Sequence, residues 1–193
     1  MFLTLVVAGG WSIFEKDWLT SFLIIVIAGL LFLPTFIRDN SEIYIPKSFS
    51  VALTLFIYAT LFLGEIQNFY NKFWWWDLGV HAISALIIGL IGFVILLLMF
   101  KKEKLKTSPF MLCVFALSFA VAIGTTWEIF EFLMDKFFGL NMQKSGLMDT
   151  MTDLIIDLLG ALVAAIIGYF YLVYKKMLPL VGNIISETVR RNV

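Results

Sequence analysis

The stretch WWWDLGVHAISALIIGLIGFVILLLMFKK, residues 74–102, decides the fold class. From Leu78 to Phe100 it is apolar except for His81 and Ser84. A helix needs roughly 20 apolar residues to cross about 30 Å of hydrocarbon, and this run is long enough. The stretch therefore predicts a transmembrane helix, with Asp77 and the chain's single histidine, His81, near its tryptophan end.

The whole composition agrees with a membrane protein. Of 193 residues, 61% are hydrophobic and 15% are charged, with a mean hydropathy of +0.96, which excludes an ordinary soluble domain. Fourteen basic residues balance fourteen acidic ones, so net charge gives no reason to expect a nucleic-acid partner. The single Cys113 excludes an internal disulfide.

Further apolar runs on both sides predict an all-α, polytopic transmembrane helical bundle with about six spans. The spans are expected roughly at residues 2–15, 18–37, 48–66, 77–100, 109–134 and 151–174. The first run is short enough for a partial crossing. Residues 1–176 are predicted to form a single transmembrane domain, followed by a cytoplasmic interfacial tail at 177–193.

The distribution of basic residues predicts the orientation. With six spans, ten of the fourteen basic residues fall on the side that carries both termini. They are Arg38, Lys47, Lys101, Lys102, Lys104, Lys106, Lys175, Lys176, Arg190 and Arg191. The positive-inside rule therefore predicts that both termini are cytoplasmic.

Acidic residues concentrate at the opposite ends of spans three to six. At about 1.5 Å per residue from the cytoplasmic end of each helix, Glu65, His81, Glu128 and Asp153 all lie about 27 to 32 Å along their spans. These side chains are therefore expected to form one polar layer near the extracytoplasmic interface.

Helical spacing predicts which polar residues share a face. Asp77 and His81 are four residues apart, Glu128 and Glu131 three, and the aspartates of span six recur at four-residue intervals, at 149, 153 and 157. On span six, the helix face that carries these aspartates continues with small residues, at Gly160, Ala161, Ala164 and Gly168. Small residues allow close helix contact, so this acidic face is expected to point into the bundle.

Several carboxylates in one confined place cannot all be ionised and unpaired, so a divalent cation or shared protons must compensate them. Oxygen ligands with one imidazole suit Mg, Mn, Fe(II), Ca or Zn without selecting among them. The candidate metal ligands are His81, Glu128, Glu131, Asp153 and Asp157.

Two further roles are predicted for this layer. Asp77 and His81 are the candidate catalytic pair, in which Asp77 orients the imidazole or shares in proton transfer. The candidate substrate-binding residues are Glu65, Asp149 and Trp127. Asp17, Asp135 and Asp149 also fit solvated loop charges.

The segments WWWDLGVH, WEIFEFLMD and LMDTMTDLIIDLLGALVAAIIGY resemble the YjdF-like family of prokaryotic integral membrane proteins, over residues 60–172. That family carries D-x3-H, WE-x2-E and DT-x2-D elements in this order. The order is more distantly similar to VanZ-like envelope proteins, although Asp157 stands where their pattern has asparagine. The resemblance implies a multi-pass protein of a prokaryotic cell membrane with a shared polar site, and no particular substrate.

Three functional classes stay open. The first is a metal-dependent or acid/base enzyme acting on a lipid or lipid-linked envelope molecule. The second is a transporter coupled to protons or cations. The third is a structural or accessory membrane protein without catalysis.

Overall fold

The computed structural model describes residues 1–174 and 179–193, and within these ranges it contains helices and no strand. The helices are α1 (Phe2–Phe14), α2 (Trp18–Asn40), α3 (Lys47–Ile57), α4 (Phe69–Lys72), α5 (Trp76–Lys101), α6 (Pro109–Phe138), α7 (Leu147–Tyr174) and α8 (Pro179–Asn192). A π-helical segment, Tyr58–Ile66, continues α3 directly. The all-α fold expected from the sequence is confirmed.

Among the described residues, five helical stretches are long and apolar enough to cross a membrane, namely α2, α3 with its π-helical continuation, α5, α6 and α7. The first predicted span corresponds to α1, an apolar helix of 13 residues that is shorter than these five. The side on which the termini lie stays a prediction. Lys175 and Lys176, and the predicted boundary between domain and tail that they mark, lie outside the described residues.

The helix ends explain where α6 and α7 extend beyond the predicted spans. Ser108 caps α6, and its hydroxyl accepts a hydrogen bond from the Met111 N–H at 3.3 Å. The helix ends at Gly139, whose φ of 67° suits a residue without a Cβ. Because α6 runs to Phe138 and α7 starts at Leu147, Asp135 and Asp149 lie on helices and are not loop charges.

The chain divides into two compact units, of which the first comprises residues 1–76 with Asn192. Its core is built by α1, α2 and the π-helical segment. The buried side chains of this core are Leu5, Ile24, Ile27, Leu31 and Phe62. Asp17 caps α2 by accepting a hydrogen bond from the Thr20 N–H at 3.0 Å, and hydrogen bonding to Thr20 lowers the pKa of that carboxyl.

A hydroxyl pair joins α1 to α2 in this unit. Ser12 Oγ and Ser21 Oγ lie 2.8 Å apart, and Ser12 is buried. Hydrogen bonds between transmembrane helices contribute about 0.6 kcal/mol on average. We expect the coupling free energy of the pair, measured by a double-mutant cycle of Ser12→Ala and Ser21→Ala in detergent unfolding, to be of this size. Additive effects of the two substitutions would contradict it.

The second unit comprises residues 77–191 with Val193 and contains most of α5 together with α6, α7 and most of α8. Small residues bring α5 and α7 together, as the stripe on span six predicted. A Cβ added at Gly160 would lie 2.7 Å from the Ala82 carbonyl oxygen, and one added at Gly89 would lie 2.6 Å from Ala164 Cβ. This contact places the N-terminal turns of α5 and α7 side by side.

A hydrophobic core lies further along the same helices. Phe93 and Leu97 of α5 are fully buried, and Ile185 of α8 belongs to the same cluster. The tail thus forms a helix that packs within the second unit. Its predicted place at a membrane surface stays a prediction.

Candidate functional site

Four ionisable side chains are buried where α5, α6 and α7 meet. His81 is 6% exposed, and Glu128, Asp153 and Asp157 are each 3% exposed. His81 and Asp153 lie in the second turn of α5 and of α7, while Glu128 lies in the C-terminal half of α6. The sequence predicted that His81, Glu128 and Asp153 lie at one depth and that Asp157 lies about one turn deeper on the inward face of its helix. The structure brings all four together.

The two ring nitrogens of His81 face different carboxylates. Nδ1 lies 3.2 Å from Asp157 Oδ1, within hydrogen-bonding distance. Nε2 lies 3.9 Å from Glu128 Oε1. When Nδ1 carries the proton and donates to Asp157, the lone pair of Nε2 is available on the Glu128 side, which is the usual arrangement of a metal-binding histidine.

His81, Glu128 and Asp153 form a group, called here the first group, whose ligand atoms all lie within 4.8 Å of one another. Both Glu128 oxygens and Asp157 Oδ2 are buried without a hydrogen-bond partner in the described part of the chain. Asp157 packs directly against α6 at Gly124, where an added Cβ would overlap its Oδ2. The first group therefore combines three potential ligands with unsatisfied acceptors.

Asp77, Asp149 and Asp153 form a second group with the same 4.8 Å criterion, so Asp153 belongs to both. Lys144 Nζ lies 2.7 Å from Asp77 Oδ2, and the Lys144 backbone N–H donates to Asp149 Oδ2 at 3.1 Å. The sequence predicted Asp77 as the partner of His81. The structure instead pairs Asp77 with Lys144 and His81 with Asp157.

The sequence reasoning missed Lys144 because it lies in a loop without a motif. The loop returns to the helix ends because Asp135 accepts hydrogen bonds from the backbone N–H groups of Met142 and Gln143, at 2.7 and 2.8 Å. Gly146, with a φ of 66°, then turns the chain into α7. The sequence offered one signal for this ion pair: Lys144 lies between two predicted helices, α6 and α7, whose facing ends carry acidic residues.

The remaining predicted site residues lie outside both groups. Glu131 Oε1 accepts a hydrogen bond from Trp127 Nε1 at 2.9 Å, and Trp127 is about half exposed. Glu131 was a candidate metal ligand. It is partly buried and belongs to neither group, so its role as a ligand stays a prediction. Glu65 lies in the π-helical segment of the other unit and is exposed.

The donor set of the first group fits a divalent cation. One imidazole and two carboxylates suit Zn and other first-row divalent ions. Burying an ionised carboxylate without a partner costs several kcal/mol, and a cation between the three side chains would offset that cost. The observation that favours such a ligand is that neither oxygen of Glu128 accepts a hydrogen bond within the described residues.

Comparisons with known proteins agree with a membrane protein. No solved structure matches the chain. A Thermotoga maritima protein named "Uncharacterized protein" is 33% identical over 125 residues, which cover 65% of this chain and 64% of that relative. The family described as "Predicted membrane protein (DUF2238)" matches residues 1–174, which is consistent with the YjdF-like resemblance, whereas the VanZ-like similarity stays distant. The chain therefore belongs to the DUF2238 family and, with five helices suited to crossing a membrane between residues 18 and 174, is a multi-pass membrane protein.

Proposed function

We propose that this membrane protein binds a divalent cation at His81, Glu128 and Asp153. With that cation it would act as a metal-dependent enzyme on a lipid or lipid-linked molecule. One observation carries the proposal. The carboxylate of Glu128 is buried, and neither of its oxygens accepts a hydrogen bond within the described residues. It lies within 4.8 Å of potential ligand atoms on two other helices, and its Oε1 is 3.9 Å from His81 Nε2.

A cation explains this arrangement better than shared protons do. A protonated carboxylic acid is a hydrogen-bond donor, and in a buried site it normally finds an acceptor. Neither oxygen of Glu128 has a hydrogen-bond partner in the described residues. A cation needs no such partner, because it uses the lone pairs of the carboxylate directly.

The surrounding side chains support a catalytic rather than a closed site. Catalytic zinc sites commonly have three protein ligands and leave one position for water or substrate. A bound divalent cation would supply Lewis acidity at a water molecule or a substrate oxygen. Asp157 fixes the imidazole through Nδ1, which holds Nε2 toward Glu128.

The position of the site supports a lipid or lipid-linked substrate. His81 and Asp153 lie near helix ends in a protein whose long helices suit a membrane. Trp127, half-exposed beside Glu131, offers an amphipathic surface of the kind found at membrane interfaces. A lipid headgroup or a lipid-linked molecule reaches this depth without leaving the membrane, and the extracytoplasmic side is the predicted one.

Metal content tests the binding half of the proposal. We expect the purified full chain, stripped with chelator and dialysed against Zn²⁺ or Mn²⁺, to retain at least one ion per chain by elemental analysis. At a free metal concentration about 100 times Kd, binding stabilises the folded state by about 2.7 kcal/mol and raises the unfolding midpoint. Glu131→Gln, outside the first group, is the matched control and should bind equally. The proposal would be overturned if the wild-type chain retained no stoichiometric metal and chelator left its unfolding midpoint unchanged.

Turnover tests the catalytic half. The metal-loaded chain, reconstituted in vesicles of a bacterial lipid extract, is expected to convert at least one lipid species, detected by mass spectrometry, and chelator should stop the conversion. Unchanged lipid profiles with a fully loaded protein would leave the metal site intact and reject the enzymatic role.

A further inference from the structure

Residues 101–106, called here the lysine turn, join α5 to α6 and carry a concentrated positive charge. The turn contains four lysines in six residues, and all four are exposed: Lys101, Lys102, Lys104 and Lys106. Its one acidic residue, Glu103, is exposed as well. Four lysines and one glutamate leave the turn with a net charge of +3.

Backbone hydrogen bonds define the shape of the lysine turn. The Lys104 N–H donates to the Met99 carbonyl at 2.9 Å, and the Glu103 N–H donates to the Phe100 carbonyl at 3.1 Å. These bonds close the end of α5 around Glu103, whose φ of 57° lies in the region that favours glycine. Leu105 is half-buried between the exposed Lys104 and Lys106, so these two lysines project away from the protein on the same side.

The four lysines of this turn differ in their contacts from the other described lysines of the second unit. Lys144 Nζ lies 2.7 Å from Asp77 Oδ2, and Lys136 Nζ lies 5.5 Å from the centre of the Phe132 ring. No lysine of the turn makes an ion pair or a cation–π contact with a described residue. Their ammonium groups are therefore available to an external anion.

Exposed apolar side chains lie on both sides of the lysine turn. Met99 in the last turn of α5 is 40% exposed, and Phe110 at the start of α6 is 64% exposed. Both helices are long and apolar enough to cross a membrane, so these side chains face acyl chains and the turn lies at the depth of the headgroups. A nucleic acid or an acidic protein complements only the charge of this surface, whereas an anionic lipid complements its charged and its apolar parts.

We propose that the lysine turn binds the phosphate headgroup of an anionic phospholipid, whose acyl chains pack against Met99 and Phe110. Each basic side chain near an anionic membrane surface increases binding by about fivefold, so even one direct contact gives a measurable preference. The inference is independent of the proposed metal site. At about 1.5 Å per residue, Lys101 lies about 30 Å from His81 along α5.

Lipid binding by the full chain, stripped with chelator so that no metal contributes, tests this inference. Native mass spectrometry in detergent gives the Kd of the first bound lipid for phosphatidylglycerol and for phosphatidylcholine with the same acyl chains. We expect phosphatidylglycerol to bind at least about fivefold more tightly. Salt at about 1 M should reduce this preference, because it shortens the screening length to about 3 Å. Glutamine at all four lysine positions should remove the preference, whereas Glu103→Gln should increase it.

Lys136→Gln is the matched control for Lys104→Gln, because each removes one exposed positive charge from the second unit. Lys104→Gln should weaken phosphatidylglycerol binding by up to about fivefold, and Lys136→Gln should leave it unchanged. If the variant without all four lysines does not fold, Lys101→Gln with Lys102→Gln and Lys104→Gln with Lys106→Gln give the same comparison in two halves. Equal Kd values of the two lipids for the wild-type chain, or a preference that survives loss of the lysines, would overturn the inference. So would displacement of phosphatidylglycerol by inorganic phosphate at constant ionic strength, because the turn would then bind a free anion.

Discussion

Replacing His81 by alanine is expected to weaken divalent-metal binding by more than about 100-fold. The imidazole is the only nitrogen donor of the first group, and its Nε2 lies 3.9 Å from Glu128 Oε1. Loss of a residue that merely orients a metal ligand costs about 10- to 100-fold in affinity, so loss of the ligand itself must cost more. Calorimetric titration of the purified chain with Zn²⁺ measures the change.

Asp157→Asn is expected to weaken metal binding less than His81→Ala does. The amide keeps the size of the side chain and a possible contact with His81 Nδ1, but it removes the charge that fixes the imidazole. Its affinity loss should fall between about 10- and 100-fold, smaller than that of His81→Ala. Equal metal affinities in wild type and His81→Ala, with all proteins folded, would show that the imidazole is not a ligand.

Replacing Gly160 by alanine is expected to lower the free energy of unfolding by about 1 to 3 kcal/mol. The added Cβ would lie 2.7 Å from the Ala82 carbonyl oxygen and 3.0 Å from Ala85 Cβ. A backbone carbonyl cannot rotate away as a side chain does, so α5 and α7 must separate. That separation should also move His81 away from Asp153 and weaken metal binding.

Gly29→Ala is the matched control for this prediction. Gly29 is also helical, but an added Cβ there meets nothing within 4 Å. Alanine favours helix over glycine by up to about 1 kcal/mol, so this control should be neutral or slightly stabilising in the same detergent unfolding assay. Equal stability of the Gly160 and Gly29 variants would contradict the close contact between α5 and α7.

The long apolar runs were sufficient to predict the helices. Periodicity and length place the spans because a membrane helix must satisfy its own backbone and show an apolar surface to lipid. The predicted and observed bounds of the span around His81, 77–100 against Trp76–Lys101, differ by one residue at each end. The ends of α6 and α7 were less predictable, because they depend on Gly139 and on the hydrogen bonds that Asp135 makes to the following loop.

The candidate site was predictable in its members but not in its pairings. Spacing along one helix shows which side chains share a face, so Asp153 and Asp157 were correctly placed toward His81. Which side chain pairs with which across two helices depends on the rotation and separation of those helices, and one sequence does not specify these. Hence Asp77 was assigned to His81, although Lys144, 67 positions away in the chain, is its ion-pair partner.

The burial of Ile185 indicates that the last helix, α8, helps to stabilise the second unit. Ile185 is 2% exposed and shares a cluster with Phe93 and Leu97, yet α8 begins beyond residue 174, where the match to the family ends. Trimming the chain to the matched region would remove Ile185 from the cluster that also holds Phe93 and Leu97, two side chains that have no accessible surface. Helix α8 thus closes part of the apolar interior of its unit, and a chain shortened to residue 174 is expected to be less stable than the 193-residue chain.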